Sequence, residues 1–364
     1  MLLADLKAAT SVPDDLYRRY ELYGSVINKI SKGKSPGLLL ISGGHQRDSF
    51  SSTDNHLQHF AHAAKRTQFR KAATIAFREL QSRHILPTMI IAGDPFFGLL
   101  SAFLLRKKFS RKIPIQVSFH GEITKSGFGT GIKGRLQNLF IQKTIAKVES
   151  VRLVSNDQIH FAKKLFGVVD KQIVIAPVPL ISTFKKTTRS KKKVVAFVGR
   201  IHPQRGVGTW VEAMKNLSVK AEALIIGDGP LKSTFIEDLK EIPKVSVNAT
   251  GYISQSELEN TWAKISVLLS TAPFESYGMA MREAVLHGVP VVSMRNSGAQ
   301  NLHNECPKMI TLVDNAEEAA RAIEKVLNRP PSAVVVNKYK KDFLKAQESY
   351  LKSLAKSWLG NVGD

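Results

Sequence analysis

The chain has 364 residues, 43% of them hydrophobic and 23% charged, the make-up of a globular protein longer than one hydrophobic core usually sustains, so two domains are expected. A single cysteine, Cys306, excludes an internal disulfide framework and a cysteine-rich metal site, and suits a reducing, cytoplasmic compartment. The formal net charge of +23 is uneven, with 28 basic against 12 acidic residues up to residue 185 and 25 against 18 after it; it calls for an anionic partner without choosing among phosphorylated substrate, lipid headgroup and nucleic acid.

The opening MLLADLKAATSVPDD lacks the apolar centre of a signal peptide, and no run approaches the ~18 consecutive apolar residues of a membrane-spanning helix. Asp15–Ile30 reads as the first helix. Short apolar runs then alternate with helical stretches: Gly37–Ser42, Thr88–Ala92, Ile115–Phe119, Val151–Ser155 and Gln172–Ala176 in the first half. Lys193–Val198, Ala223–Gly227, Val245–Ala249, Val267–Ser270, Pro290–Ser293 and Met309–Val313 follow in the second. These runs do not alternate apolar with polar, so they are expected to be strands buried on both faces, as in parallel sheets covered by helices. Strand-then-helix repetition in both halves predicts two doubly wound, Rossmann-like α/β domains. Their expected extents are 1–185 and 191–336, joined by the unpatterned Thr183–Lys193 (TFKKTTRSKKK). Asn337–Leu359 spaces Tyr339, Phe343, Leu344, Tyr350, Leu351, Leu354 and Trp358 as an amphipathic terminal helix would.

The chemistry concentrates in Ser270–Ser293 (STAPFESYGMAMREAVLHGVPVVS). A strand ends at Ser270, a turn presents Glu275, Ser276, Tyr277 and Gly278, and a helix follows from about Met279 to His287. Ligands bind at the C-terminal edge of a parallel sheet, and the next helix N-terminus favours anions through its free amides. A glycine at that helix start lets backbone approach a phosphate closely. Two carboxylates eight residues apart, Glu275 and Glu283, can contact two ends of one extended ligand; taken singly, either is equally a helix-end or solvated charge.

These residues resemble the signature of the family 4 glycosyltransferases: Glu275-x7-Glu283 with Tyr277-Gly278 inside it and Gly288-Val289-Pro290-Val291-Val292 after it. Other matches keep the family's order: Val198-Gly199-Arg200 leading to Arg205-Gly206, Ile226-Gly227-Asp228-Gly229-Pro230, and Gly251-Tyr252-Ile253. In the first half, Ile115–Glu122 (IQVSFHGE) resembles the strand-then-His-Gly element, flanked by Thr88–Asp94 and Ser155-Asn156. The resemblance spans roughly residues 85 to 305 and is densest over Val194–Gly298. It departs in an arginine at 205, where lysine is usual, in Thr271-Ala272 for a Pro-Ser, and in Gly298-Ala299 for a glycine pair. Pro177-Val178-Pro179-Leu180 lacks the family's pattern, and no role is carried there. The first glycine-rich loop has no counterpart before Asp15; Gly43-Gly44 is the alternative.

The resemblance implies a GT-B fold, two Rossmann-like domains facing a cleft, with the last helix, 337–364, completing the first domain. It implies retaining transfer of a sugar from a nucleotide-diphosphate donor to a hydroxyl acceptor, a glycan or a lipid-linked one. Arg200 and Arg205 would neutralise the diphosphate, Glu275 would hold the sugar hydroxyls, Glu283 the ribose, and the Gly278 amide would face phosphate. His120 would stand near the anomeric carbon, and Gly199, Gly227, Gly251, Tyr252, Ser276 and Tyr277 would line the donor site. No metal and no cofactor are expected, and no Asp-x-Asp occurs to hold one.

Lys125–Lys147 reads as a basic amphipathic helix whose apolar side packs on its sheet, while its cations favour an anionic membrane surface. The basic residues form no motif with interleaved aromatics, so nucleic acid is not expected as a partner. The placement expected is cytoplasmic, peripheral on the inner membrane face. A sugar-nucleotide epimerase or phosphorylase on the same fold, or a basic non-enzymatic binding protein, are the competing readings.

Overall fold

The structure, a computed structural model, describes residues 14–35, 37–53, 56–65, 67–109, 113–121, 123, 127–129, 131–182 and 192–359. The opening segment 1–13, Glu122, the start of the basic stretch at Lys125 and most of the expected linker lie outside the described residues. The chain divides into two units, Met1–Pro179 with Gln347–Asp364, and Leu180–Ala346.

The first unit opens with helix α1 (Asp14–Ser31), then strands β1 (Leu38–Gly43), β2 (Ser49–Thr53) and β3 (Leu57–His62), and helix α2 (Phe69–Ser82). Strand–helix alternation follows: β4 (Ile90–Ala92), α3 (Phe97–Lys108), β5 (Ile115–Phe119), α4 (Gly131–Ile145), β6 (Ser150–Leu153), α5 (Asp157–Phe166) and β7 (Ile173–Ile175). The strands form a three-stranded sheet in the order β1-β3-β2 and a parallel four-stranded sheet in the order β4-β5-β6-β7. The run GLLLIS is continuously apolar because neighbouring side chains feed two cores. Leu39 and Ile41 join Ile90, Ala92, Ile115 and Val117 in one, and Leu38 and Leu40 join Met89, Ile91, Tyr23 and Ile27 in the other. The hairpin β2–β3 has no counterpart among the expected strands. Ser49–Thr53 is polar and largely exposed, and the histidines of LQHFAH break the apolar pattern that marks a strand.

In the second unit come β8 (Val194–Val198), α6 (Val207–Lys215), β9 (Ala221–Ile226), α7 (Lys232–Lys240), β10 (Val245–Gly251), α8 (Gln255–Thr261) and β11 (Val267–Ser270). Then follow α9 (Met279–Leu286), β12 (Val291–Met294), α10 (Ser297–Glu305), β13 (Ile310–Val313), α11 (Ala316–Asn328) and α12 (Ala333–Leu359). All six strands are parallel, in the order β10-β9-β8-β11-β12-β13. Val195, Phe197 and Leu269 face one helix layer; Val194, Ala196 and Leu268 face the other. The helix starts are locally encoded: Ser254 and Glu257 form a capping box at α8, and the Asn296 and Asn315 side chains accept amides at α10 and α11.

The extents differ from the sequence expectation at two places. Leu180 is buried in the second unit's core, so the division falls at 179/180 rather than near 185. The terminal helix starts at Ala333, and its first half belongs to the second unit, where Tyr339 and Phe343 pack with Met281, Val285 and Ile310. Leu351, Leu354 and Trp358 pack with Tyr23 and Ile27 of α1, and the Trp358 indole donates to Gln116 Oε1 at 2.6 Å. One amphipathic stripe serves two cores, which its periodicity cannot reveal. Leu354 is fully buried, and Leu354→Ala is expected to cost about 2–5 kcal/mol in chemical denaturation.

β3 carries two buried histidines. Ser42 Oγ lies 2.8 Å from both His45 Nε2 and His59 Nε2, and His62 Nδ1 accepts from the Ala64 amide. Burial lowers His59 and His62 from 6.5 to about 4. Between these values the unfolded chain binds protons that the native chain does not, so stability is full above pH 6.5 and falls as pH drops towards 4. Urea midpoints measured from pH 7 to 4.5 are expected to decline, and to decline less steeply in His62→Phe.

Candidate functional site

Strand order in the second unit reverses between β8 and β11, where Val195 pairs with Val267 and Ala196 with Leu268. Beyond these pairs the two chains leave the sheet in different directions and open a crevice at its C-terminal edge. Backbone crowding shapes that edge. Gly206 has φ +65°, and a Cβ there would lie 2.0 Å from the Thr271 carbonyl oxygen; Thr271 Oγ1 donates to the Arg205 carbonyl at 3.0 Å. Only glycine allows this approach. A Cβ on Gly227 would likewise fall 1.9 Å from the Gly199 carbonyl oxygen. The Gly199 amide donates to Ile226 and the Gly227 amide to Gly251, so the three glycine turns stand in a hydrogen-bonded row.

This crowding delivers the Arg205 guanidinium to Glu275, Nη1 to Oε2 at 2.6 Å, beside a cavity of about 40 Å³ lined by Val198, Thr271, Gly278 and Met281 among others. α9 starts at Gly278 in the left-handed conformation, φ +74°, with no side-chain cap. Its first amides are therefore directed out of the helix end, where an anion is favoured. The Gly298 amide donates to the Glu275 carbonyl at 2.6 Å, which pins the turn to α10. Glu283 is buried, and its Oε1 accepts from Gln255 Nε2 at the start of α8. Both carboxylates thus meet partners from the β8-β9-β10 half of the sheet, Glu275 in the loop after β8 and Glu283 at the start of α8, after β10. Arg200 is exposed at the end of β8, and Tyr252 is 73% exposed beyond β10. Ser276 and Tyr277 are buried within the turn.

Sequence reasoning missed Arg282. This arginine is 2% exposed, stacks over the Tyr277 ring at 4.2 Å, donates Nε–H to the Tyr277 carbonyl at 3.0 Å and pairs through both Nη atoms with Glu305. Tyr339 of α12 donates to the same carboxylate. Arg282 therefore ties the Glu275–Gly278 turn to α10 and α12. A charge at a core-facing position of an otherwise apolar helix is the signal that was available. Gln255 is a second such residue.

His120 belongs to the first unit, exposed just past β5. The turn that carries it is held by buried Gln158 of α5: Nε2 donates to the carbonyls of Phe119 and Gly121, and Oε1 accepts from the Val154 amide at 2.7 Å. Asp94 accepts from the amides of Phe96 and Gly98 and so secures the start of α3. A larger apolar cavity of about 280 Å³ lies at the opposite, N-terminal end of β1, lined by Leu38, Met89 and Trp358 among others. Among the described residues, Lys34 is the one charged side chain lining it.

Residues 181–343 match the family described as Glycosyl transferases group 1. A GDP-mannose-dependent alpha-mannosyltransferase of Corynebacterium glutamicum is 30% identical over 141 residues, 38% of this chain and 32% of that protein. A putative teichuronic acid biosynthesis glycosyltransferase of Bacillus subtilis is 23% identical over 70% of this chain and 65% of its own length. The match thus spans between about a third and two thirds of these relatives. The solved sucrose-phosphate synthase from Thermosynechococcus elongatus superposes with a TM-score of 0.74 at 14% identity, covering 98% of this chain and 97% of that one, which places the chain in the GT-B fold class.

Arg282→Lys keeps a charge but loses the planar fork and the stack on Tyr277. It is expected to cost about 1–3 kcal/mol in denaturation and to raise hydrogen exchange at the amides of 276–279.

Proposed function

We propose that the chain is a retaining glycosyltransferase that moves a sugar from a nucleotide-diphosphate donor to the hydroxyl of a glycan or lipid-linked acceptor, in the making of a cell-surface polysaccharide or glycolipid. One observation carries the reading: the Arg205–Glu275 pair stands beside the uncapped glycine start of α9, at the strand-order reversal of a parallel sheet. A diphosphate fits there, neutralised by Arg205 and Arg200 through paired N–H donors and by the first amides of α9. Glu275 is then within reach of the hydroxyls of the transferred sugar, and Glu283, steadied by Gln255, of the ribose. Gly199, Gly227 and Gly251 would offer the donor close backbone along the same sheet edge. The corynebacterial relative, described as GDP-mannose-dependent, supports a nucleotide-sugar donor.

In the reaction the bond from the anomeric carbon to the diphosphate oxygen breaks as the acceptor oxygen bonds the same carbon on the same face. The acceptor proton passes to the departing phosphate oxygen. Charge accumulates on the leaving diphosphate, where the two arginines and the Gly278 amide stabilise it in place, without reorganising solvent. His120 positions the sugar and stabilises the positive charge developing on its ring. The proposal assigns no metal, and it places the protein in the cytoplasm, peripheral to the membrane.

Thermal shifts with UDP, GDP, ADP, TDP and CMP test the donor site. A ligand at 100 times its dissociation constant adds about 2.7 kcal/mol of stability. One diphosphate is expected to raise the melting temperature of the wild type and to do so less in Glu283→Ala; silence with all of them would reject the reading. With donor and acceptor in hand, transfer is expected to persist in EDTA, and NMR of the product to show the donor's anomeric configuration.

A further inference from the structure

Helix α4 presents two unlike surfaces. Its inward side is Gly134, Ile141 and Ile145, all buried at spacings of seven and four. At Gly134 the helix start is pressed so close to the preceding loop that a Cβ would meet Gly129 backbone at 2.5 Å. These three residues fill the inward face. Ile132, Leu136 and Leu139 have no place on it and are 79%, 61% and 50% exposed. Their spacings of four and three align them as one stripe along the outside of the helix. The expectation that the apolar side of this helix packs on its sheet therefore holds for Ile141 and Ile145 and fails for Leu136 and Leu139.

The charge around the stripe is predominantly positive. Residues 97–149 hold ten lysines and arginines against two acidic residues, Glu122 and Glu149, the latter 3.6 Å from Arg106, and α4 itself contains no acid. Lys133, Arg135 and Lys143 are exposed on α4. The Arg106 guanidinium donates to the Lys147 carbonyl, 3.4 Å from Nη1 and Nη2, which brings the end of α3, with exposed Lys107 and Lys108, against the end of α4.

We propose that this face of the first unit docks on the surface of an anionic lipid bilayer. α4 lies in the interfacial plane, with Ile132, Leu136 and Leu139 in the acyl boundary and Lys133, Arg135, Lys143, Lys107 and Lys108 on the headgroups. Anionic lipid matches both halves of the surface: cations for the phosphates and aliphatic chains for the region beneath them. A nucleic acid would match the cations alone, because the stripe offers no aromatic ring for base stacking. The inference rests on the peripheral placement proposed above and assigns it a surface.

The experiment is co-sedimentation of the full chain with phosphatidylcholine vesicles, with and without phosphatidylglycerol. The wild type and two triple variants are compared, Ile132→Ser/Leu136→Ser/Leu139→Ser and Lys133→Glu/Arg135→Glu/Lys143→Glu. All substituted side chains are exposed, so unchanged melting temperatures serve as the folding control. Wild type is expected to bind only the anionic vesicles, more weakly as salt rises, and each triple variant to lose at least about tenfold in partitioning. If wild type binds and the serine variant binds equally well, this face is wrong while the peripheral placement stands. If wild type binds neither vesicle, both fall. Tighter binding to single-stranded nucleic acid than to vesicles, or a dimer in sedimentation that the serine variant dissolves, would overturn the lipid assignment in favour of that partner.

Discussion

The contact of Gly206 with the Thr271 carbonyl is the constraint on which the second unit's chemistry depends. With a side chain at 206, the loop after β8 would have to stand off from the end of β11, since a Cβ would fall 2.0 Å from a backbone oxygen. Arg205 would move with it, away from Glu275. The same device recurs along the edge at Gly227 against Gly199. A parallel sheet whose order reverses supplies the crevice, and glycine contacts set how narrow it is. Narrowness matters because hydrogen bonds and charges act on an anion far more strongly where water is thinned out.

Behind the crevice, Arg282 converts a flexible turn into a fixed one. Its guanidinium is buried between the Tyr277 ring, the Tyr277 carbonyl and the Glu305 carboxylate. Burial opposes its charge, and Tyr277 and Glu305 more than offset this, so the group stays protonated. The Tyr339 hydroxyl, whose ionisation burial suppresses, completes the network from α12. The same helix continues into the first unit, where Leu354 and Trp358 complete a core with α1. A single long helix thus contributes both to the support of the candidate donor turn and to the folding of the other unit.

Much of this was readable along the chain because its signals are local. Apolar runs mark strands, and the eleven runs coincide with β1, β4 to β7 and β8 to β13 within a few residues, although the edge strand β10 is largely exposed rather than covered on both faces. Glycines with positive φ at 199, 206, 227, 251 and 278 stand where the spacing put turns after strands. The hairpin β2–β3 was not readable, since its strands are short, half polar and stabilised by pairing rather than by burial. Gln158 and Gln255 were not readable either, because each acts on residues 28 or more positions away; for Arg282 the sequence shows a charge on an apolar helix but not its partner, Glu305, 23 positions on.

The outward stripe of α4 makes the same point from the surface. Sequence periodicity marks α4 as amphipathic and basic, but whether an apolar residue faces a core or solvent depends on which positions the neighbouring elements occupy. What the sequence by itself determined is therefore whatever rests on backbone preference and short spacing: two α/β units, strand ends with their glycine turns, and the charged residues placed at them. What only the tertiary structure decided is which of those residues meet. The Arg205–Glu275 pair spans 70 positions, and the division of α12 between two cores joins residues more than 300 apart, Tyr23 with Trp358. Such contacts are selected by packing across the whole chain, and no local term carries them.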